Sequence, residues 1–502
     1  MGWKSWAIKP YAALIARKTR AMAKSAVADQ EEIRKQLIAK ARKTAYGKDH
    51  NFDDIENYED FIKYIPIRDY EQLRPYIDRV VGGEADVLWP GVPKYLAKTS
   101  GTTSGVKYIP LTADSMPNHM DSASYAVLNY VAETGNSGVF DGKLMFLSGS
   151  PELSNKGKIP TGRLSGIVNH EVPSWAKSNQ VPSYKTNCIE DWEQKLAKVA
   201  DETLTKDMRL IGGIPPWVQM YYEHILARTG KSSVGEIFSN LSLFVYGGVN
   251  FKPYQAKLTE LVGRDIDSIE LYPASEGFIA YQVSQADEGM LLNTRSGIFY
   301  EFVPAAEAHN ANPTRLQLQD VELGKDYAVI INNNAGLWGY SIGDSVRFVS
   351  LDPYKLIVSG RIKHYISAFG EHVIGKEVEN ALMSVANASG IKVVEFTVAP
   401  QVTPPDGSTP YHEWFVEFDG EPGDIAQFEA AVDLEMKNQN IYYDDLITGG
   451  ILQPLKIRVL RKDAFRSYMK TKGKLGGQNK VPRLSNDRAI ADGLSPMIVK
   501  QS

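Results

Sequence analysis

The sequence predicts an α/β protein of two domains, a large N-terminal one of β-sheets and packed helices over residues 1–360 and a smaller α+β one over residues 361–502. Three observations point there. The chain has 502 residues, more than one hydrophobic core ordinarily organises. From Pro90 to Ser359, short β-rich runs alternate with Gly/Pro turns and helix-like segments, the rhythm of a sheet with helices against it. After Gly360 the pattern changes to long helical stretches set between a few strands.

In chain order, the stretch from Tyr11 to Tyr46 is rich in Ala, Lys, Arg, Leu and Ile with no internal Pro. It predicts one or two amphipathic helices with a basic, solvated outer face. Tyr95-Leu96-Ala97 reads as a strand leading into a Ser/Thr/Gly loop. Further strands are expected over residues 143–148, 241–246, 268–272 and 327–331, where β-branched and aromatic residues run into small or polar clusters. In the second domain, helices are expected over residues 376–385 and 425–437 and strands over 392–398, 414–418 and 456–460. From Lys470 onward the Lys/Gly-rich sequence is expected to be a mobile tail.

Composition narrows the function. Sixty acidic against 56 basic residues give a net charge of −4 with both signs interspersed, which predicts neither nucleic acid nor an acidic surface as partner. Cys188 is the sole cysteine, so no intramolecular disulfide and no Cys-based zinc pattern can form. The N-terminus lacks a signal-peptide pattern, and no run is apolar enough to span a bilayer. The expected compartment is the cytoplasm, with no membrane partner. Gly-x-Ser-x-Gly and His-Glu-x-x-His are both absent, which removes serine-hydrolase and zinc-protease readings.

Four motifs carry chemistry. In Thr99-Ser100-Gly101-Thr102-Thr103-Ser104-Gly105-Val106-Lys107, small residues permit close backbone approach to an anion, hydroxyls supply donors and Lys107 adds charge. It is not a Walker A loop, because Val106 separates the second glycine from the lysine. Tyr246-Gly247-Gly248-Val249 and Tyr272-Pro273-Ala274-Ser275-Glu276-Gly277 each follow a strand, so both project from one sheet edge. Glu276 there is a lone carboxylate suited to Mg²⁺ held between phosphates. Read singly, each piece is more readily a plain turn. Asp344, in Trp338-Gly339-Tyr340-Ser341-Ile342-Gly343-Asp344, can accept from two ribose hydroxyls, and Arg361 can pair with it or with phosphate; a surface Asp in a turn is the competing reading. Lys480, in Gly476-Gly477-Gln478-Asn479-Lys480-Val481-Pro482-Arg483, either reaches into a cleft from an adjustable loop or is a solvated tail lysine.

The order of these motifs resembles the adenylate-forming superfamily of acyl-CoA synthetases, luciferases and peptide-synthetase adenylation domains. Its auxin-responsive branch, the Gretchen Hagen acyl-acid amido synthetases, is the nearest likeness. Ala45-Tyr46-Gly47-Lys48-Asp49-His50, Ile65-Pro66-Ile67-Arg68-Asp69-Tyr70, Gly83-Glu84-Ala85-Asp86-Val87-Leu88, Lys107-Tyr108-Ile109-Pro110 and residues 478–483 extend the likeness over nearly the whole chain. The resemblance implies an ATP- and acyl-acid-binding domain over 1–360 and a mobile domain over 361–502 hinged near Lys363. It implies Ser100, Thr102 and Thr103 as phosphate-binding hydroxyls, and Gly247, Gly248 and Val249 as the adenine-side turn. Tyr272 and Ser275 become nucleotide contacts, Glu276 the Mg²⁺ ligand, Asp344 the ribose carboxylate and Lys480 the catalytic lysine of the mobile domain. Plant members have one more residue before the lysine of the first motif, so no role carries over to Lys107. The implied reaction uses ATP and Mg²⁺ to make an acyl-AMP from a small carboxylic acid, then passes the acyl group to an amine, an amino acid by the family's habit. The alternatives are an acyl-CoA ligase, which differs only in acceptor, and a non-catalytic nucleotide-binding regulator. Neither the acid nor the oligomeric state is legible. Candidate pocket material lies in Leu147 to Ser150 and Gly162 to Gly166.

Overall fold

The computed structural model describes residues 3–100, 106–172, 177–248, 251–308, 310–362, 365–366, 368–371, 373–472 and 481–499. The chain divides into two compact units, the larger taking in most described residues up to Ile362 and the smaller built mainly from those beyond it.

The larger unit opens with helices Trp3–Lys24 and Ala26–Ala41, separated at Ser25. The first buries Ala12, Ile15, Ala16, Thr19 and Met22, a helical spacing of three and four, and exposes Lys9, Arg17, Lys18 and Arg20. The basic outer face expected from sequence is therefore present. Strands follow at Tyr95–Ser100 (β1), Val106–Leu111 (β2), Lys143–Leu147 (β3), Ser154–Lys156 (β4), Ile159–Gly162 (β5), Gln180–Val181 (β6), Met208–Gly213 (β7) and Leu243–Gly247 (β8). Then come Asp267–Ala274 (β9), Gly277–Tyr281 (β10), Met290–Leu292 (β11), Ile298–Pro304 (β12), Asp326–Asn333 (β13), Tyr340–Leu351 (β14) and Tyr354–Arg361 (β15).

Eleven of these make one sheet in the order β12-β13-β14-β15-β11-β10-β9-β8-β7-β3-β6, and four make a second in the order β2-β1-β5-β4. Strands β6, β3, β7, β8 and β9 run parallel, and their apolar runs are accordingly buried, as at Leu243 to Tyr246. From β9 to β12 the pairing is antiparallel. The large core gathers β12, β13 and β14 side chains around Trp338, whose indole donates to the Leu88 carbonyl (3.1 Å).

The smaller unit holds a short pair, Tyr365–Ile366 (β16) and Val373–Ile374 (β17), and a three-stranded sheet of Val393–Gln401 (β18), Tyr411–Phe418 (β19) and Lys456–Leu460 (β20). Helices Gly375–Ser389 and Ile425–Gln439 pack with it. The expected elements all occur here, the strand over 456–460 with the expected bounds and the others extended by one to four residues at one end or both. The expectation of a mobile tail from Lys470 onward needs correction. Lys470 lies in the helix Ala464–Thr471, and after the undescribed residues 473–480 the chain returns to the sheet. Val481, Leu484, Ala491 and Leu494 are buried with Phe415 and Leu460, and the Val398 amide donates to the Arg483 carbonyl (3.0 Å). Lysine and glycine dominated the reading of that stretch, whereas its apolar residues decide where it lies.

Candidate active site

The parallel strands β3, β7, β8 and β9 end in turns on one edge, the position where open α/β sheets receive ligands. Two sequence motifs sit there. At the end of β8, a Cβ on Gly247 would lie 2.4 Å from the Leu271 carbonyl oxygen of β9, so only glycine permits this pairing. Gly248 follows with φ +84° and open space where a side chain would stand. Tyr246 stacks on Phe251 beyond the turn, with ring centroids 4.2 Å apart.

At the end of β9, Ala274 pairs with Gly277 of β10, leaving Ser275 and Glu276 as a two-residue hairpin turn. The Asn333 side-chain amide donates to the Glu276 carbonyl (2.7 Å), while the Asn333 side-chain oxygen accepts from the amides of Ala335 and Leu337 (3.0 Å each). One asparagine thus ties the turn to the loop that leads into β14. Asn332 holds the same loop by accepting from the Gly339 amide (2.6 Å).

Two phenol–carboxylate bonds then cross between β9 and β14. Tyr272 of β9 donates to the Asp344 carboxylate of β14 (2.7 Å), and Tyr340 of β14 donates to Glu276 beyond β9 (3.3 Å). Strands β10, β11 and β15 lie between β9 and β14 in the sheet order, so the sheet curls far enough for these side chains to meet. Burial, and next the charge of Glu276, push the Tyr340 phenol well above its ordinary range. It therefore stays protonated and keeps donating at any physiological pH. Asp344 is buried, and the β14–β15 register puts Arg361 opposite it.

Strands β1 and β2 are neighbours, so the Ser/Thr/Gly loop joins two strands. A Walker A loop joins a strand to a helix, and its exclusion from sequence agrees with this setting. Lys107, at the start of β2, stands over the Tyr70 ring (5.5 Å), and the Tyr70 hydroxyl accepts from the Tyr108 amide (2.9 Å).

Of the predicted residues, the structure brings together Tyr272, Glu276 and Asp344, with Gly247 one strand away and Ser275 in the same turn. Thr102, Thr103, Val249, Lys363 and Lys480 lie outside the described residues, as do the side chains of Ser100 and Arg361. Sequence reading missed Asn333 and Tyr340. Tyr340 lay within a motif already singled out for Asp344, and Asn332-Asn333-Asn334 is a turn signal at a strand end.

Among the described residues no three His, Cys, Asp or Glu side chains gather as a metal cluster. A single carboxylate at the rim suits Mg²⁺, which takes one or two protein carboxylates and fills its shell with phosphate and water. No helix among the described residues is long and apolar enough to cross a membrane.

Comparison with known proteins identifies the family. The GH3 family N-terminal domain matches residues 15–171, its central domain residues 291–361 and its C-terminal domain residues 376–489. A jasmonoyl–L-amino acid synthetase of Oryza sativa subsp. japonica is 23% identical, covering 86% of this chain and 87% of the relative. A 4-substituted benzoates–glutamate ligase of Arabidopsis thaliana is also 23% identical, covering 90% and 92%. Among solved structures, an acyl acid amido synthetase in complex with 2,4-DB superimposes with a TM-score of 0.61 at 15% identity, covering 97% of this chain and 96% of that one. With three family domains matched in order along the chain and relatives aligned over most of its length, the chain belongs to the GH3 family of acyl-acid amido synthetases.

Proposed function

We propose that this enzyme uses ATP and Mg²⁺ to convert a small carboxylic acid to its acyl-AMP and then transfers the acyl group to the amine of an amino acid. The observation that carries the reading is the crossed pair of phenol–carboxylate bonds, Tyr272 to Asp344 and Tyr340 to Glu276, at the ligand-receiving edge of the sheet. It holds two carboxylates in fixed orientation, Glu276 in the β9–β10 turn and Asp344 within β14. Asp344 then accepts from the ribose hydroxyls, and Glu276 is the residue that would hold Mg²⁺. The backbone at Gly247 and Gly248 receives the adenine, with Ser275 beside the nucleotide, and Ser100, Thr102 and Thr103 donate to the phosphates.

In the first step a carboxylate oxygen attacks the α-phosphorus, and the bond to pyrophosphate breaks. Bound Mg²⁺ supplies charge neutralisation on the phosphates. In the second step the amine nitrogen attacks the acyl carbon, AMP leaves with the carbon–oxygen bond pair, and the nitrogen gives up a proton. We assign Arg361 to Asp344 or phosphate, Lys480 to charge on the reacting phosphorus, and a domain division near residue 360 with Lys363 as its hinge. The names of the relatives, a jasmonoyl–amino acid synthetase and a benzoate–glutamate ligase, support an amino acid as acceptor and leave the acid open. Use of ATP and a lone cysteine suit the cytoplasm.

The test is acid-dependent exchange of labelled pyrophosphate into ATP across a panel of carboxylic acids, followed by mass spectrometry of products made with mixed amino acids or with CoA. Amides are expected. Thioesters alone would move the enzyme to the acyl-CoA ligases, and absence of exchange with every acid would leave a nucleotide-binding regulator.

A further inference from the structure

The helix Trp3–Lys24 exposes Lys9, Arg17, Lys18, Arg20 and Lys24, and the sequence holds no Asp or Glu before Asp29. The chain as a whole has a net charge of −4, so this basic stretch is segregated from the rest. The next helix, Ala26–Ala41, mixes both signs: Arg34 and Lys35 pair with Glu31, and Lys40 pairs with Asp114. On the first helix, Lys18 has the Asp121 carboxylate within reach of its charge. Lys9, Arg17, Arg20 and Lys24 make no ion pair among the described residues.

Large apolar side chains stand out on the same side. At about 100° per residue, Ala12, Ile15, Ala16, Thr19 and Met22 form the buried stripe, and Trp6, Pro10, Ala13, Arg17 and Lys24 run along the opposite one. The buried stripe packs against the helix Met116–Thr134. On the outer side Trp6 is 78% exposed, and Tyr11 and Leu14 are about half exposed. A single exposed apolar residue is ordinary, but these three are set among unpaired cations along about 27 Å of one helix.

We propose that this outer face docks on the surface of a bilayer that contains anionic phospholipid, with the helix lying along the membrane plane. Trp6 and Tyr11 enter the headgroup region, where amphipathic rings settle. The lysines and arginines lay their stems along apolar material and reach the lipid phosphates with their charges. Composition pointed away from a membrane partner because it sums charge over the whole chain; the placement of these residues on one exposed face points to one. An acidic protein would satisfy the cations alone, whereas a bilayer interface accommodates the tryptophan and leucine as well. The docking is peripheral and stands apart from the acyl-activating chemistry.

The test uses the full-length enzyme and vesicles of phosphatidylcholine, alone or with about one part in three of phosphatidylserine. At low salt the protein should sediment with the mixed vesicles and not with the neutral ones, and added salt should release it. Arg17→Gln, Arg20→Gln and Lys24→Gln should each weaken binding about fivefold, the worth of one basic residue near such a surface. Trp6→Ser should weaken it about tenfold, as a large apolar side chain no longer leaves water. All four side chains are exposed, so the variants should keep the wild-type thermal midpoint. No sedimentation with the mixed vesicles at low salt overturns the proposal. Binding retained by the triple Arg17→Gln, Arg20→Gln, Lys24→Gln variant also overturns it, because the contact then lies elsewhere. So does binding that falls with the cations but is unchanged in Trp6→Ser; capture on immobilised polyglutamate would then reassign the face to an acidic protein. Pyrophosphate exchange is read separately. Vesicle binding without exchange by any acid keeps this proposal and removes the acyl-activating reading, and exchange without vesicle binding does the reverse.

Discussion

The smaller unit and the β9–β14 edge of the larger unit hold their carboxylates with different donors. In the smaller unit buried carboxylates hold the fold together. Glu413 on β19 accepts from Arg458 (2.6 Å) and Arg488 (2.8 Å), Glu417 from the amides of Asp463 and Phe465, and Glu371 from His412 and the Phe369 amide. Each joins segments distant in sequence. At the β9–β14 edge of the larger unit, Glu276 and Asp344 accept from tyrosine hydroxyls. A phenol orients a carboxylate without cancelling its charge, whereas a guanidinium does both. The larger unit also has a carboxylate of the structural kind: Glu301 takes two bonds from Arg315 and one from Tyr58. The contrast is therefore between tasks more than between units. Carboxylates that close the fold draw on guanidinium, imidazole and backbone donors, and the two at the candidate site draw on phenols.

Glu276→Ala breaks the comparison most severely if it is wrong. Exchange activity is expected to fall at least about a hundredfold for every acid, as removal of a charge-stabilising group does, while the thermal midpoint moves little. Retained exchange would remove Glu276 from the site. The mirror experiment is Glu413→Gln, which leaves Arg458 and Arg488 facing a neutral group. Because Arg458 is about one-third exposed, water softens the loss to about 2 kcal/mol. Denaturant titration should show a lowered midpoint, and an unchanged one would mean that the pairing does not stabilise the fold. Third in size is Tyr272→Phe, which removes the phenol that orients Asp344. The KM for ATP should rise by about tenfold, one hydrogen bond's worth, with kcat less affected. An equal fall in kcat with no change in KM would place Asp344 in the chemical step.

Strand runs with β-branched residues, and the glycines that close them, were readable because local sequence alone sets them; β3, β8, β9 and β13 all fall where the pattern put them. Glu276 and Asp344 were readable as lone carboxylates among small residues. The crossing of Tyr272 with Asp344 and of Tyr340 with Glu276 was not, because it depends on how an eleven-stranded sheet curls, and no local pattern encodes that. The C-terminal stretch was misread because its apolar residues are spaced too widely to form a periodic signal, yet each finds a place in the small core.

His119, on the helix Met116–Thr134, tests the smallest difference between the two tasks. It is buried, and its Nδ1 has no hydrogen-bond partner among the described residues. Burial pushes its pKa down to about 4 from 6.5. The sign follows from proton counting: between those values the unfolded chain binds a proton that the folded chain refuses. The contribution to stability is thus complete above pH 6.5 and is lost as the pH falls toward 4. Between pH 6.5 and 5.5 the loss is roughly 1 kcal/mol, close to the limit set by one proton. His50 is also lowered by burial and adds to the slope of the wild type, so the measurement is the difference between wild type and His119→Leu. The variant should lose less stability on acidification over that interval, by chemical denaturation at each pH. Parallel curves would mean that the ring is protonated in the folded state, which requires water or an acidic group to reach it, and His119 would then join the residues available to a ligand.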